Sequence, residues 1–230
     1  MKNIKNQQGT TLIIVLTIIL LVSGLSAMGI KTILMSNKIN SSQAVLTQLN
    51  KEASIPLTLL MDSDLIQQRR FSGDSGDAIF KYANDHKDQE LVSCYLGEVG
   101  PDYFKPKNTE LSLVALDENG RVHTINDNKV GFCDASKSYS SSRKNTITQV
   151  SIKYLGEGKN NDELYAINSI SIMPKSLNRN SGSINEINTC LSENLNIINS
   201  QNGTTVESCI EALKIPYKNF YAVLPIKKAQ

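Results

Sequence analysis

No acidic residue occurs before Glu52: all 22 Asp and Glu of the 230-residue chain lie beyond residue 50. The first fifty residues carry only Lys2, Lys5, Lys31 and Lys38 as charges, and no proline interrupts residues 10–55. Between residues 10 and 30 there is no charge at all, so nothing there opposes leaving water. Histidine is nearly absent, with His86 and His123 alone. No Cys-x-x-Cys and no Cys/His pair at ligand spacing exists, which gives a zinc site no donor set. A basic surplus is missing too. Beyond residue 50 stand 20 Lys and Arg against 22 acids, a net charge of −2, so the overall +2 comes from the four N-terminal lysines. Nucleic acid as a partner therefore has no electrostatic warrant, and the doublets Arg69-Arg70, Arg143-Lys144 and Lys227-Lys228 read as solvated surface.

What is present begins with a short polar, basic leader, residues 1–9, leading into the uncharged apolar run 10–30. At 1.5 Å per residue that run is long enough for a hydrocarbon core of about 30 Å. Lys2 and Lys5 would keep the N-terminus cytoplasmic. Three processing routes fit such a start. One is a cleaved secretory signal with a small-x-small exit at Gly24-Leu25-Ser26, although the apolar stretch continues past it to Ile30. The second is a signal anchor. The third is a prepilin, cut after Gly9 so that the helix stays on the mature chain.

The segment Gln7-Gln8-Gly9-Thr10-Thr11-Leu12-Ile13-Ile14-Val15-Leu16, with Ser26-Ala27-Met28 and 35–40 behind it, resembles the N-terminal segment of PilX-like minor pilins of bacterial type IV pili. The likeness covers residues 1–40. It implies processing between Gly9 and Thr10, methylation of Thr10, and assembly through the apolar helix. Most type IV pilins carry Glu at the fifth mature position, where this chain has Ile14. In the family that Glu neutralises a neighbour's N-terminal amine, because an unpaired charge in an apolar bundle is expensive. Its loss implies a place first in the filament, at or near the tip. The implied function is a minor subunit that primes or caps pilus assembly and supports adhesion and twitching motility. Implied partners are other minor and major pilins, prepilin peptidase and a large tip adhesin. The implied location is the inner membrane, single pass with the N-terminus cytoplasmic, and then the pilus on the cell surface. Two alternatives stand beside it: a K-type minor pseudopilin of a type II secretion system, which shares the missing Glu, and a membrane-anchored extracytoplasmic binding domain.

Cys94, Cys133, Cys190 and Cys209 lie in the part that would be exported, and an even number there argues for two disulfides. Three connectivities are possible. Sequential pairing is the simplest, and its second pair would close a C-terminal loop as pilins do. The expected organisation is a leader (1–9), a transmembrane helix (10–30), an amphipathic stalk helix (31–55) and an extracytoplasmic α+β globular domain (56–230). The expected fold is α+β: a long N-terminal transmembrane/stalk helix packed on an antiparallel β-sheet, type IV pilin-like.

Met35, Ile39, Ser42, Leu46, Leu49 and Ala53 recur at spacings of four and three, one face of a helix, which Pro56 should kink or end. Leu57, Leu60, Met61 and Leu65 suggest another helical piece. Asp77 should cap a short helix over 78–83. Strands are expected at 91–96, at 111–116 and 122–125 around the hairpin signal Asn119-Gly120, and at 148–154, half-buried by its alternation, paired with 164–173. Ser183 and Glu186 form a capping-box pattern ahead of a helix reaching Ile198. A last strand over 220–226 should take an edge because Pro225 cannot donate.

Catalytic patterns are weak. Gly73-Asp74-Ser75-Gly76 resembles the nucleophile segment of chymotrypsin-like proteases, yet Asp77 breaks it and both histidines follow the serine instead of preceding it. Gly156-Glu157-Gly158-Lys159 lacks P-loop spacing and reads as a turn. Asp117-Glu118-Asn119-Gly120 is too short for a calcium loop, and the Asp62/Asp64 and Asp85/Asp88 pairs have no partner histidine. The sequence thus points to no enzyme, no cofactor and no metal.

Overall fold

The structure, a computed structural model, describes residues 7–62, 79–95, 111–117, 122–125, 131–136, 146–159, 161–174, 183–197 and 204–227. The chain forms two compact units, Met1–Val45 and Leu46–Gln230. Helix α1 (Gln7–Met61) contributes to both.

In the first unit the described side chains are those of residues 12–24, 26 and 40–45, and all but the half-buried Val45 are exposed. The expected transmembrane stalk is not met here. Among the described residues no helix is long and apolar enough to cross a membrane. The pilin-like expectation of a long transmembrane/stalk helix lying on the sheet is corrected accordingly. Only the last turns of α1 join the domain core: Leu49 and Ala53 are fully buried, whereas Leu46, on the same predicted face, is 51 % exposed. Pro56 does not end the helix, since α1 continues to Met61. A proline deprives only the carbonyl four residues back of its partner, and here the apolar anchors Leu57 and Leu60 hold the following turn in the core.

The second unit is α+β around one six-stranded antiparallel sheet. After α2 (Ile79–Asp85) come β1 (Glu90–Tyr95), β2 (Leu111–Leu116), β3 (Val122–Thr124), β4 (Ile147–Glu157) and β5 (Asp162–Ile172). Helices α3 (Ile184–Glu193) and α4 (Val206–Ala212) follow, then β6 (Tyr217–Lys227). The spatial order is β3-β2-β1-β4-β5-β6, so β6 does take an edge. Asp77, Asn119, Gly120, Leu65, Ile198 and the segment 73–76 lie outside the described residues.

The long ladders carry the sheet. β5 pairs with β6 from Asp162↔Lys227 to Ile172↔Tyr217, and with β4 on its other side from Ile147↔Ile172 to Glu157↔Glu163. The β4–β5 connection is a turn, as its glycines suggest. Gly158 N–H donates to the Asp162 carbonyl (2.7 Å), and Gly156 sits at a register shift with φ 121°, a backbone region that L side chains rarely enter.

The sheet is covered on both faces. On the first, Leu57 and Leu60 of α1 and Ile79, Phe80 and Ala83 of α2 pack on Val150, Ile152, Tyr165 and Ile167. On the second, Ile187 and Leu191 of α3 and Val206 and Ile210 of α4 pack on Ile147, Ile170 and Ile172. This overturns the half-buried expectation for 148–154. Gln149 and Ser151, on the polar side of that alternation, are 1 % and 0 % exposed, because the helices after residue 183 need a floor for their own apolar faces. Both helices start as their sequences dictate. Ser183 and Glu186 form the expected capping box, and Thr205 with Ser208 forms a second one.

The segment 131–136 crosses β1 and β2. Gly131 donates its N–H to Ser112 Oγ (3.0 Å), and a Cβ there would collide with the Val92 carbonyl oxygen and the Ser112 amide nitrogen. Because both obstacles are ladder backbone, they cannot step aside. Gly131→Ala should therefore lower unfolding free energy by about 3 kcal/mol in a urea titration, whereas Gly24→Ala, with open space around it, should leave the domain unchanged.

Candidate functional site

Two features stand out: the uncovered apolar surface of α1 and the helical cover held on the sheet by two disulfides. From Leu12 to Val22 every large apolar side chain is about half or more exposed, from 48 % at Val15 to 67 % at Leu21. Ile14 is 53 % exposed, one of a continuous apolar set with no charged neighbour. Thr17 and Ser23 do not break this surface. Thr17 Oγ1 bonds back to the carbonyls of Ile13 and Ile14, and Ser23 Oγ to that of Leu20, so their hydroxyls are spent on the helix itself. Gly9 and Thr10 fall within the bounds of α1, and their surroundings lie outside the described residues.

The four cysteines pair sequentially, Cys94 with Cys133 and Cys190 with Cys209, at Cα separations of 4.7 and 5.5 Å. The first bond fastens the crossing segment to β1. The second fastens α4 to α3. All four sulfurs belong to one apolar cluster on the second sheet face. Sequence periodicity placed none of them in that cluster, and it missed the polar residues that organise it.

Gln149 is the first of these. Its Oε1 accepts the Cys133 N–H (3.2 Å) and its Nε2 donates to the Leu191 carbonyl (3.0 Å). Glu90, with no exposed surface, accepts the backbone N–H groups of Asn196 and Ile197, each at 3.0 Å. Asn196 in turn donates to Ser151 Oγ (2.6 Å), and Asn188 of α3 joins Asp134 (2.8 Å) and the Ala135 N–H (2.7 Å). The cover is thus keyed by directional contacts from the middle of α3, from its last turn and from the residues just beyond it. A buried Glu at the start of β1 was the available sequence signal, since such a carboxylate needs donors.

Among the described residues, acidic side chains on and under α2 make local contacts. Glu163 receives the Tyr165 hydroxyl (2.7 Å) and Asn84 Nδ2 (3.2 Å) under α2, and Asp85 pairs with Lys81 one turn earlier (3.3 Å). Among the described residues no group of three or more His, Cys, Asp or Glu could hold a metal ion. No family model, no curated protein and no solved structure matches the chain.

Two phenols are perturbed. Burial, and then the nearby negative charge of Glu52, push Tyr95 above its usual value of 10.0. Tyr217 is raised first by burial and then by Glu207, Glu211 and a hydrogen bond to Glu207. A folded pKa above the unfolded value means the native chain holds these protons longer. Their contribution is therefore intact below about pH 10 and is lost as pH climbs through the folded values. Urea midpoints should fall above pH 10, and Tyr95→Phe should make that fall shallower.

Removing the second disulfide gives a separate expectation. Cys190 and Cys209 are 19 apart in sequence, and in the chain-entropy model closing a loop of that size stabilises by about 3 kcal/mol. The double replacement Cys190→Ala with Cys209→Ala should lower stability by about that amount. Hydrogen exchange should rise first in α4, whose remaining attachments include Val206, Ile210, the Val206 N–H to the Leu195 carbonyl (3.3 Å) and the Asn219–Glu207 contact (2.7 Å).

Proposed function

We propose that the chain is a PilX-like minor pilin, a low-copy subunit that joins a surface filament through the apolar surface of α1 and primes or caps assembly at or near its tip. The observation that carries this reading is the exposed, uncharged set between Leu12 and Val22 on a helix that continues into a disulfide-tied domain. Water is a poor neighbour for ten such side chains, and burying the exposed half of each is worth on the order of 1 kcal/mol. Packing among equivalent helices of neighbouring subunits provides that burial without asking for polar partners. Ile14 fits a terminal position, since it leaves nothing to neutralise a following subunit's amine. Two disulfides with no free cysteine support maturation in an oxidising compartment. Adhesion and twitching motility would then depend on this subunit indirectly, through filament number, and pilins and a tip adhesin would be its partners.

The mass of the N-terminal peptide, taken from protein purified out of its native cells, tests this reading. The expected result is a start at Thr10 carrying one added methyl group. An intact Met1, or a start beyond Gly24, overturns it. In parallel, Leu16→Asp should remove the subunit from sheared filaments while the domain's melting temperature stays within about 1 °C of wild type, because surface changes far from the core cost little. Unchanged pilus number, adhesion and twitching in a deletion strain would also sink the proposal, and loss of secretion with normal pili would move it to the type II secretion relatives.

A further inference from the structure

Gln149 lies where β1, the 131–136 segment and α3 meet. In the β1–β4 register its direct partner is Cys94. Its amide oxygen holds the N–H of Cys133, and its amide nitrogen holds the carbonyl of Leu191, the residue after Cys190. One side chain, 1 % exposed, therefore touches or adjoins three of the four cysteines, and the fourth belongs to the same cluster. Before oxidation, four thiols gathered in one apolar patch could join in any of three ways. We propose that Gln149 selects among them. With its two amide ends committed in opposite senses, it keeps the Cys133 segment and the end of α3 on separate sides. Cys133 then meets only Cys94, and Cys190 meets only Cys209.

An apolar residue of the same length would fill the space and leave the Cys133 N–H and the Leu191 carbonyl buried and unpaired, so neither segment would be held in place. The chemistry itself is ordinary. Each bond forms when a cysteine thiolate attacks a disulfide oxidant and the resulting mixed disulfide is displaced by the second thiolate. Two protons and two electrons leave the protein per bond, and the oxidant is reduced to two thiols. Gln149 takes no part in electron transfer. It is a positioning residue for oxidative folding.

The test uses the full chain, reduced and unfolded, then refolded with reduced and oxidised glutathione in a mild detergent that covers α1. Disulfide-linked peptides are quantified by mass spectrometry. Wild type should return Cys94–Cys133 and Cys190–Cys209 as the dominant pairs. Gln149→Met, close in volume, should raise the non-native pairs, above all those joining Cys94 or Cys133 to Cys190, by at least about threefold. Ile170→Ala is the control. Ile170 is Gln149's partner on β5 and equally buried, so its truncation weakens the same cluster and leaves both amide contacts in place. Scrambling in Gln149→Met and not in Ile170→Ala, at matched melting temperature, supports the proposal. Native pairing in Gln149→Met overturns it. Equal scrambling in both variants overturns it too, because lost stability would then be the cause.

Discussion

A central strand buried on both faces makes each of its polar groups costly to leave without a partner. β4 is such a strand, and most of the second unit can be understood as a response to it. Its backbone is satisfied by β1 on one side and β5 on the other. Its first-face side chains, Val150 and Ile152, need only apolar cover, which α1 and α2 supply. Its second-face side chains include Gln149 and Ser151, for which apolar cover alone would cost about 1–3 kcal/mol apiece in unpaired polar groups. The helices that cover them bring specific partners, the Leu191 carbonyl and the Asn196 amide, and these contacts fix where α3 and the chain beyond it can lie.

Glu90 repeats the arrangement one strand away. A fully buried carboxylate is tolerable where charge-assisted donors converge on it, and two backbone N–H groups do so here. Because those donors come from Asn196 and Ile197, just past α3, the start of β1 and the end of the helical cover fix one another. The disulfides then act on a structure already keyed by hydrogen bonds.

The local elements were legible wherever the pattern was local. The Ser183–Glu186 box, the strand 111–116, the edge position of the Pro225 strand and the glycine turn after β4 all depend on residues a few positions apart, and they read directly from the chain. The layer structure was not legible. The alternation Thr148-Gln149-Val150-Ser151-Ile152 is the signature of a strand with one wet face, and only the amphipathic helix after Ser183 hinted that a second face required cover. The helix was the other miss. Periodicity from Met35 to Ala53 suggested one continuous buried stripe, yet Leu46 is exposed while Leu49 is not, because a helical pattern states which face is apolar and not where along its length a partner lies. The transmembrane expectation rested on the apolar run 10–30, and among the described residues no helix is long and apolar enough to cross a membrane. For the candidate site, the cysteine count foretold two bonds, but Gln149 carried no local mark.

The sequential disulfides have a consequence for how the chain responds to backbone cleavage. Each bond closes its own separate ring, 94–133 and 190–209, with no interleaving between them. A single backbone cut inside either ring therefore yields two fragments that remain covalently one molecule. The nicked protein keeps its mass apart from one added water, and it separates into pieces only on reduction. Cuts inside the rings are thus survivable, whereas a cut in the turn at Gly158 lies outside both rings and leaves only non-covalent contacts to hold the halves of the sheet together.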